Sequence, residues 1–205
     1  MAALVFLPSA VIAQVANEFW PEIDISYRPA EHQRTLLELK GQADRETSKN
    51  EAKIGLYQDY LWLPHGFVRA GYRYIFSTND ARHRESRLDA EGTLNRPLGS
   101  GFTFTDRLRW EFRWVNKEYS FRIRERLRLE REQRGQHTLK LMPYTSLELF
   151  YDSRFYTIAR LEGRLGSKIG VRGPLSFDVF YVRQQNSRTS PHDINALGLG
   201  LAFAF

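Results

Sequence analysis

The sequence predicts an all-β chain folded as an antiparallel up-and-down transmembrane β-barrel of about 12 strands with short loops. Three observations predict it. The chain ends in Leu197-Gly-Leu199-Gly-Leu201-Ala-Phe203-Ala-Phe205, where every second residue is large and apolar, the period of a strand with one greasy face. The same alternation recurs along the chain, with arginine and glutamate on the opposite parity. Several runs last about 10 to 14 residues, beyond the usual soluble strand of about five or six and long enough to cross a bilayer at a tilt.

Residues 1–16 are expected to be a secretory signal, removed from the mature protein. Met1 to Ala13 is apolar but too short to span a bilayer as a helix, and Val11-Ile12-Ala13 ahead of Gln14 fits a small-residue cleavage site. A positively charged n-region is missing, as a start lying inside a longer signal peptide would give. Residues 17–205 then form a single barrel domain.

Strands follow one another from there. Ile23, Ile25 and Tyr27 oppose Glu22, Asp24 and Arg28; Leu37 and Leu39 oppose Glu38 and Lys40; Ile54, Leu56, Tyr60 and Trp62 oppose Lys53 and Asp59. Val68, Tyr72, Tyr74 and Phe76 oppose Arg69 and Arg73, and Leu88, Ala90 and Leu94 oppose Arg87, Asp89 and Glu91. The clearest run sets Phe102, Phe104, Leu108, Trp110, Phe112 and Trp114 against Arg107, Arg109, Glu111 and Arg113. After a turn at Asn116, Tyr119, Phe121, Ile123, Leu127 and Leu129 oppose Arg122, Arg124, Arg126, Arg128 and Glu130. A helix with this spacing would smear charge around its circumference, whereas a strand separates the two sets. Leu139, Leu141, Leu147 and Leu149 oppose Lys140 and Glu148, and four further strands are read at 155–165, 168–173, 175–185 and 194–205. Glu125 breaks the pattern by sharing the apolar parity. Either a bulge re-aims it or it lies near an interface.

With both termini on the periplasmic side, that side collects Phe76, Trp114, Tyr119, Phe121, Tyr151, Phe155, Phe203 and Phe205. The other side collects Tyr27, Tyr60, Trp62, Phe102, Phe104 and Tyr181. These are the two aromatic belts a membrane barrel requires. Mean hydropathy is −0.49 and no run of about 18 apolar residues exists, which excludes spanning helices but not spanning strands. The net charge of +6 is spread over alternating positions, with no basic tail or block, which argues against a nucleic-acid partner. The absence of cysteine is compatible with export.

The stretches Arg109-Trp-Glu-Phe-Arg113, Phe121-Arg-Ile-Arg-Glu-Arg-Leu-Arg128, Glu148-Leu-Phe150 through Arg160-Leu-Glu-Gly-Arg164, and Asp178-Val-Phe-Tyr181 carry a family resemblance. Together with Phe19-Trp-Pro-Glu22 and the closing strand, they resemble domain of unknown function 2490, an uncharacterised family of bacterial outer-membrane β-barrels. The resemblance implies location and fold, and no substrate.

The polar parity should face the lumen, where Arg and Lys outnumber Asp and Glu. Arg107, Arg109, Glu111, Arg113, Arg122, Arg124, Arg126, Arg128, Arg160 and Arg164 are the expected lining of a narrow pore for small anionic solutes or acidic oligosaccharides, because rings of Arg and Lys select anions. The alternative is a structural or assembly barrel with a closed, salt-bridged lumen. An outer-membrane lipid-modifying enzyme is the third reading, with His192-Asp193 near Ser187 and Ser190 as the nearest approach to a triad. No catalytic residue, metal or cofactor is expected, since no metal, phosphate-loop or dinucleotide motif is present. Expected partners are outer-membrane lipid and the barrel-assembly machinery, the latter through Leu197, Leu199, Leu201, Phe203 and Phe205.

Overall fold

The computed structural model describes residues 15–44, 50–63, 65–79, 83–134, 140–171 and 173–205. The expected signal segment as far as Gln14, Leu139, Arg172 and the side chain of Trp62 lie outside the described residues. The strands are β1 (Val15–Ala30), β2 (Gln33–Asp44), β3 (Asn50–Leu63), β4 (Gly66–Ser77), β5 (Arg84–Gly99), β6 (Phe102–Val115), β7 (Glu118–Arg131), β8 (Gln133–Arg134), β9 (Lys140–Asp152), β10 (Thr157–Gly170), β11 (Leu175–Asn186) and β12 (Asp193–Ala204). Thus β1 already contains Val15 and Ala16, the last two residues of the segment expected to be removed, and Ala16 is buried.

Sequential strands pair antiparallel around the sheet, and β8 is only a two-residue piece beside the start of β9. The sheet closes where β12 returns to β1, with Ile23 opposite Leu201 and Ile25 opposite Phe203. At the chain's end, the Phe205 amide donates to Ser26 O at 2.9 Å and the Arg28 amide donates to Phe205 O at 3.0 Å. Closure removes the exposed edges.

Eleven strands close this barrel, one fewer than expected. The difference lies at Gly166, where the sequence reading ends one strand and β10 runs straight on. Gly166 is a packing position. A Cβ there would lie 2.7 Å from the Phe180 Cβ and 2.8 Å from the Tyr144 ring, which flank it from β11 and β9. An odd count has a geometric consequence. Directions alternate around the sheet, so β1 and β12 run the same way and their seam is parallel.

The described chain therefore starts at one end of the barrel and finishes at the other, overturning the expectation that both termini share a side. Phe203 and Phe205 stand at the end that holds Tyr27 and Phe102, opposite the end holding Phe76, Trp114, Tyr119 and Tyr151. Tyr181 lies near the middle of β11. Two hairpins are as tight as expected: Ser100–Gly101 and Asn116–Lys117 all have positive φ, the two-residue geometry that matches strand twist.

Side chains alternate between walls as the sequence requires. Leu56, Leu88, Trp110, Phe112, Leu147 and Leu197 are exposed on the outside, while Asp59, Asp89, Glu111 and Glu148 are buried inside. No bulge turns Glu125 inward, because β7 keeps continuous register with both neighbours. It is exposed on the outer wall between Leu108 and Leu149. No helix among the described residues is long and apolar enough to cross a membrane.

Candidate functional site

Charges facing inward have only the lumen for solvation, so burial demands pairing. Strands β2 to β7 and β9 meet this with carboxylates shared between arginines from neighbouring strands. Asp59 binds Arg34 at 2.5 Å and Arg69 at 2.6 Å. Glu91 binds Arg109 at 2.5 Å, and Glu38 binds Lys40 and Arg73 at 3.0 Å each. Glu111, fully buried, accepts from Arg124 at 2.7 Å and Arg87 at 3.2 Å, with Arg122 3.8 Å away. Glu148 accepts from Arg107 at 2.5 Å and Arg124 at 2.8 Å.

Glu85 and Asp152 complete this network toward the Val15 end. Glu85 pairs with Arg113 and, at 2.6 Å, with Arg87. Asp152 holds Arg122 at 2.9 Å, Arg113 at 3.0 Å and Arg154 at 2.8 Å. Neither carboxylate is in the sequence reading, although Glu85 shares the parity of Arg87, and Asp152 that of Glu148. With Glu18 and Glu51, which also share the inward parity, they bring the interior closer to charge balance than the sequence suggests.

Inward aromatic rings form the second part of the site. Phe150 lies under Arg124 (4.4 Å to the ring centroid), Tyr144 under Arg128 (3.7 Å) and Phe180 under Arg164 (4.1 Å). Rings in these positions attract the guanidinium groups and hold them against the wall. Tyr57 donates to Asp89 at 3.1 Å and accepts from Arg73 Nε at 2.7 Å. The parity signal for these rings is in the sequence: Tyr57 is in step with Asp59, and Tyr144 and Phe150 with Glu148.

A cavity of about 490 Å³ occupies the lumen. Of the ten expected lining residues, Arg107, Arg109, Arg122, Arg124, Arg126, Arg128, Arg160 and Arg164 line it. Glu111 and Arg113 do not, because they are locked in the buried ion pairs behind its surface. Toward the Phe205 end the lining is accessible, with the Arg34 and Glu130 side chains 31% and 27% exposed. Toward the Val15 end, Ala16, Ile75, Val182, Gln184 and Ile194 are packed beyond the lining, and Val182 has no exposure. Among the described residues, the lumen is thus a cup with its mouth at the Phe205 end.

His192 and Ser187 do not meet. The His192 ring lies 3.1 Å from the Asn186 carbonyl through Nδ1, while Ser187 Oγ donates to the Ile158 carbonyl at 3.0 Å.

Fold and site together define a closed all-β barrel that is apolar outside and filled with arginine–carboxylate pairs inside. By sequence the chain belongs to the family of proteins of unknown function DUF2490, which it matches over residues 17–195. Comparison with curated proteins gives no match.

Proposed function

We propose that this protein is a membrane-spanning barrel of the bacterial outer membrane whose arginine-lined lumen takes small anionic solutes through the mouth at the Phe205 end. The observation that carries this reading is the inverted polarity, with Trp110, Phe112 and Leu197 exposed outside and Asp59, Glu111 and Arg109 buried within. In water such an arrangement leaves a broad apolar outer wall exposed, broken at Glu125, whereas a bilayer satisfies the apolar wall and leaves the paired charges to the lumen. From Phe104 to Trp114 the outer face of β6 rises roughly 33 Å along the strand, which a tilt of about 40° brings to an apolar band about 25 Å tall. Its lipid partners contact this band. The strand ending in Leu197, Leu199, Leu201, Phe203 and Phe205 presents the aromatic end that assembly machinery would engage.

The packed Val15 end favours a second reading, a structural barrel whose lumen stays closed. Reconstitution in planar bilayers separates the two. Under a KCl gradient, the anion-taking reading expects a small conductance with an anion-selective reversal potential. A folded but silent barrel supports the structural reading. Recovery of the protein from the soluble fraction after membrane sedimentation overturns the membrane assignment itself.

A further inference from the structure

Not every arginine in the lumen is neutralised. Arg126 faces Glu148 across β7 and β9, but both short bonds to Glu148 go to Arg107 and Arg124. Arg126 Nε is buried without a hydrogen-bond partner, and Arg107, another cation, stands opposite on β6. Two residues along, Arg128 lies over the Tyr144 ring, whose hydroxyl donates to Asp178 at 3.0 Å. Arg128 Nη2 sits 2.9 Å from Glu130 Oε2, yet neither Nε nor Nη2 makes a hydrogen bond.

The register brings a third cation to the same place. Ser146 on β9 is opposite Arg128 on one side and Arg164 on the other. Adjacent strands are about 4.8 Å apart, so the two arginines rise from the wall roughly 10 Å apart with a small side chain between them. Arg164 reaches Glu22 only at 3.5 Å and Glu162 at 3.7 Å. Arg126, Arg128 and Arg164 all line the cavity.

Resting on the reading of an anion-taking lumen, we infer that Arg126, Arg128 and Arg164 around Ser146 form a site for one tetrahedral oxyanion, the phosphate or sulfate group of a small solute. Three guanidinium groups approaching from two strands present more donors than the two oxygens of a carboxylate can use. A tetrahedral oxyanion offers acceptors in several directions and carries up to two charges. The rings beneath Arg128 and Arg164 hold two of the forks in place before the anion arrives.

The test is calorimetric titration of the folded barrel in neutral detergent at about 150 mM salt, where loose charge attraction is screened. Inorganic phosphate is the probe, with sulfate and acetate as comparators. Phosphate and sulfate should bind with one site per barrel and acetate at least tenfold more weakly. Arg126→Gln and Arg164→Gln should each weaken phosphate about tenfold, the loss of one charged hydrogen-bond donor. Arg183→Gln, on the outer wall, should leave it unchanged. Heat-modifiable gel migration checks that each variant is folded. Equal binding of acetate, or equal loss in Arg183→Gln, overturns the site. Titration reads binding and not current, so the two proposals fail separately. A barrel that passes anions but binds no phosphate removes this site alone, whereas one that binds phosphate without conducting removes only conduction.

Discussion

The wall built by β5, β6 and β7 and the wall built by β11, β12 and β1 solve closure in opposite ways. On the first, inward positions such as Glu85, Arg87, Asp89, Glu91, Arg107, Arg109, Glu111 and Arg113 are charged and buried, and strand is tied to strand by shared carboxylates. On the second, β12 turns Ala196, Gly198, Gly200 and Ala202 inward. Phe180 and Trp20 fill that space, joined by Ala16, Val182 and Ile194 in one apolar cluster. The charged wall has no slack in its carboxylates, since each lost anion strands several arginines. The seam wall depends mainly on shape, with Glu22 on β1 adding pairs to Lys40 and Arg164.

The sharpest way to break the charged wall is Glu111→Gln. The substitution keeps the volume but removes the charge that Arg87, Arg122 and Arg124 share. Breaking a buried pair by deleting one partner costs about 3–5 kcal/mol, because the remaining charge is left uncompensated. Urea unfolding in lipid vesicles, followed by tryptophan fluorescence, should show a loss of that size. A change under about 1 kcal/mol, the ordinary scale of a neutral hydrogen bond, would mean the network is redundant. The contrast between the walls would then fall.

Gly198→Val attacks the seam wall. The Phe180 ring from β11 lies directly over Gly198, in the space that a Cβ would need. Overpacking of this kind typically costs about 1–3 kcal/mol. The loss should be largely recovered in the double variant Gly198→Val with Phe180→Ala, where the added methyls take up part of the vacated volume. Losses that simply add in the double variant would show that Gly198 answers to something other than this ring.

These two sites also mark how far the sequence could be read. The barrel, the two parities and the lumen-facing arginines were legible because a period of two is local: Arg122, Arg124, Arg126 and Arg128 declare their wall without reference to any other strand. The strand count was not, because Gly166 looks like a turn glycine until Tyr144 and Phe180 arrive from neighbouring strands. Nor could the sequence say which cations are neutralised. Arg107 and Glu148 are 41 residues apart in the chain, and only the register decides that Glu148 serves Arg107 and Arg124 at the expense of Arg126. The orientation of Phe205 failed for a related reason, since one strand fewer reverses the last one.

Arg126→Gln sharpens the comparison within the charged wall and should have the smallest effect on stability. If burial alone made these arginines structural, removing Arg126 would cost as much as removing Glu111. Its surroundings argue otherwise. Glu148, opposite it on β9, gives its short bonds to Arg107 and Arg124, while Arg107 opposes it across β6, and like charges directly opposite on a sheet are destabilising. The substitution should therefore leave unfolding free energy within about 0.5 kcal/mol of the parent, the range of substitutions that break no specific contact. A gain inside that range is the expected sign. A loss of several kcal/mol in the same urea assay would place Arg126 among the structural arginines, and the wall would then be uniformly paired with nothing held in reserve for a solute.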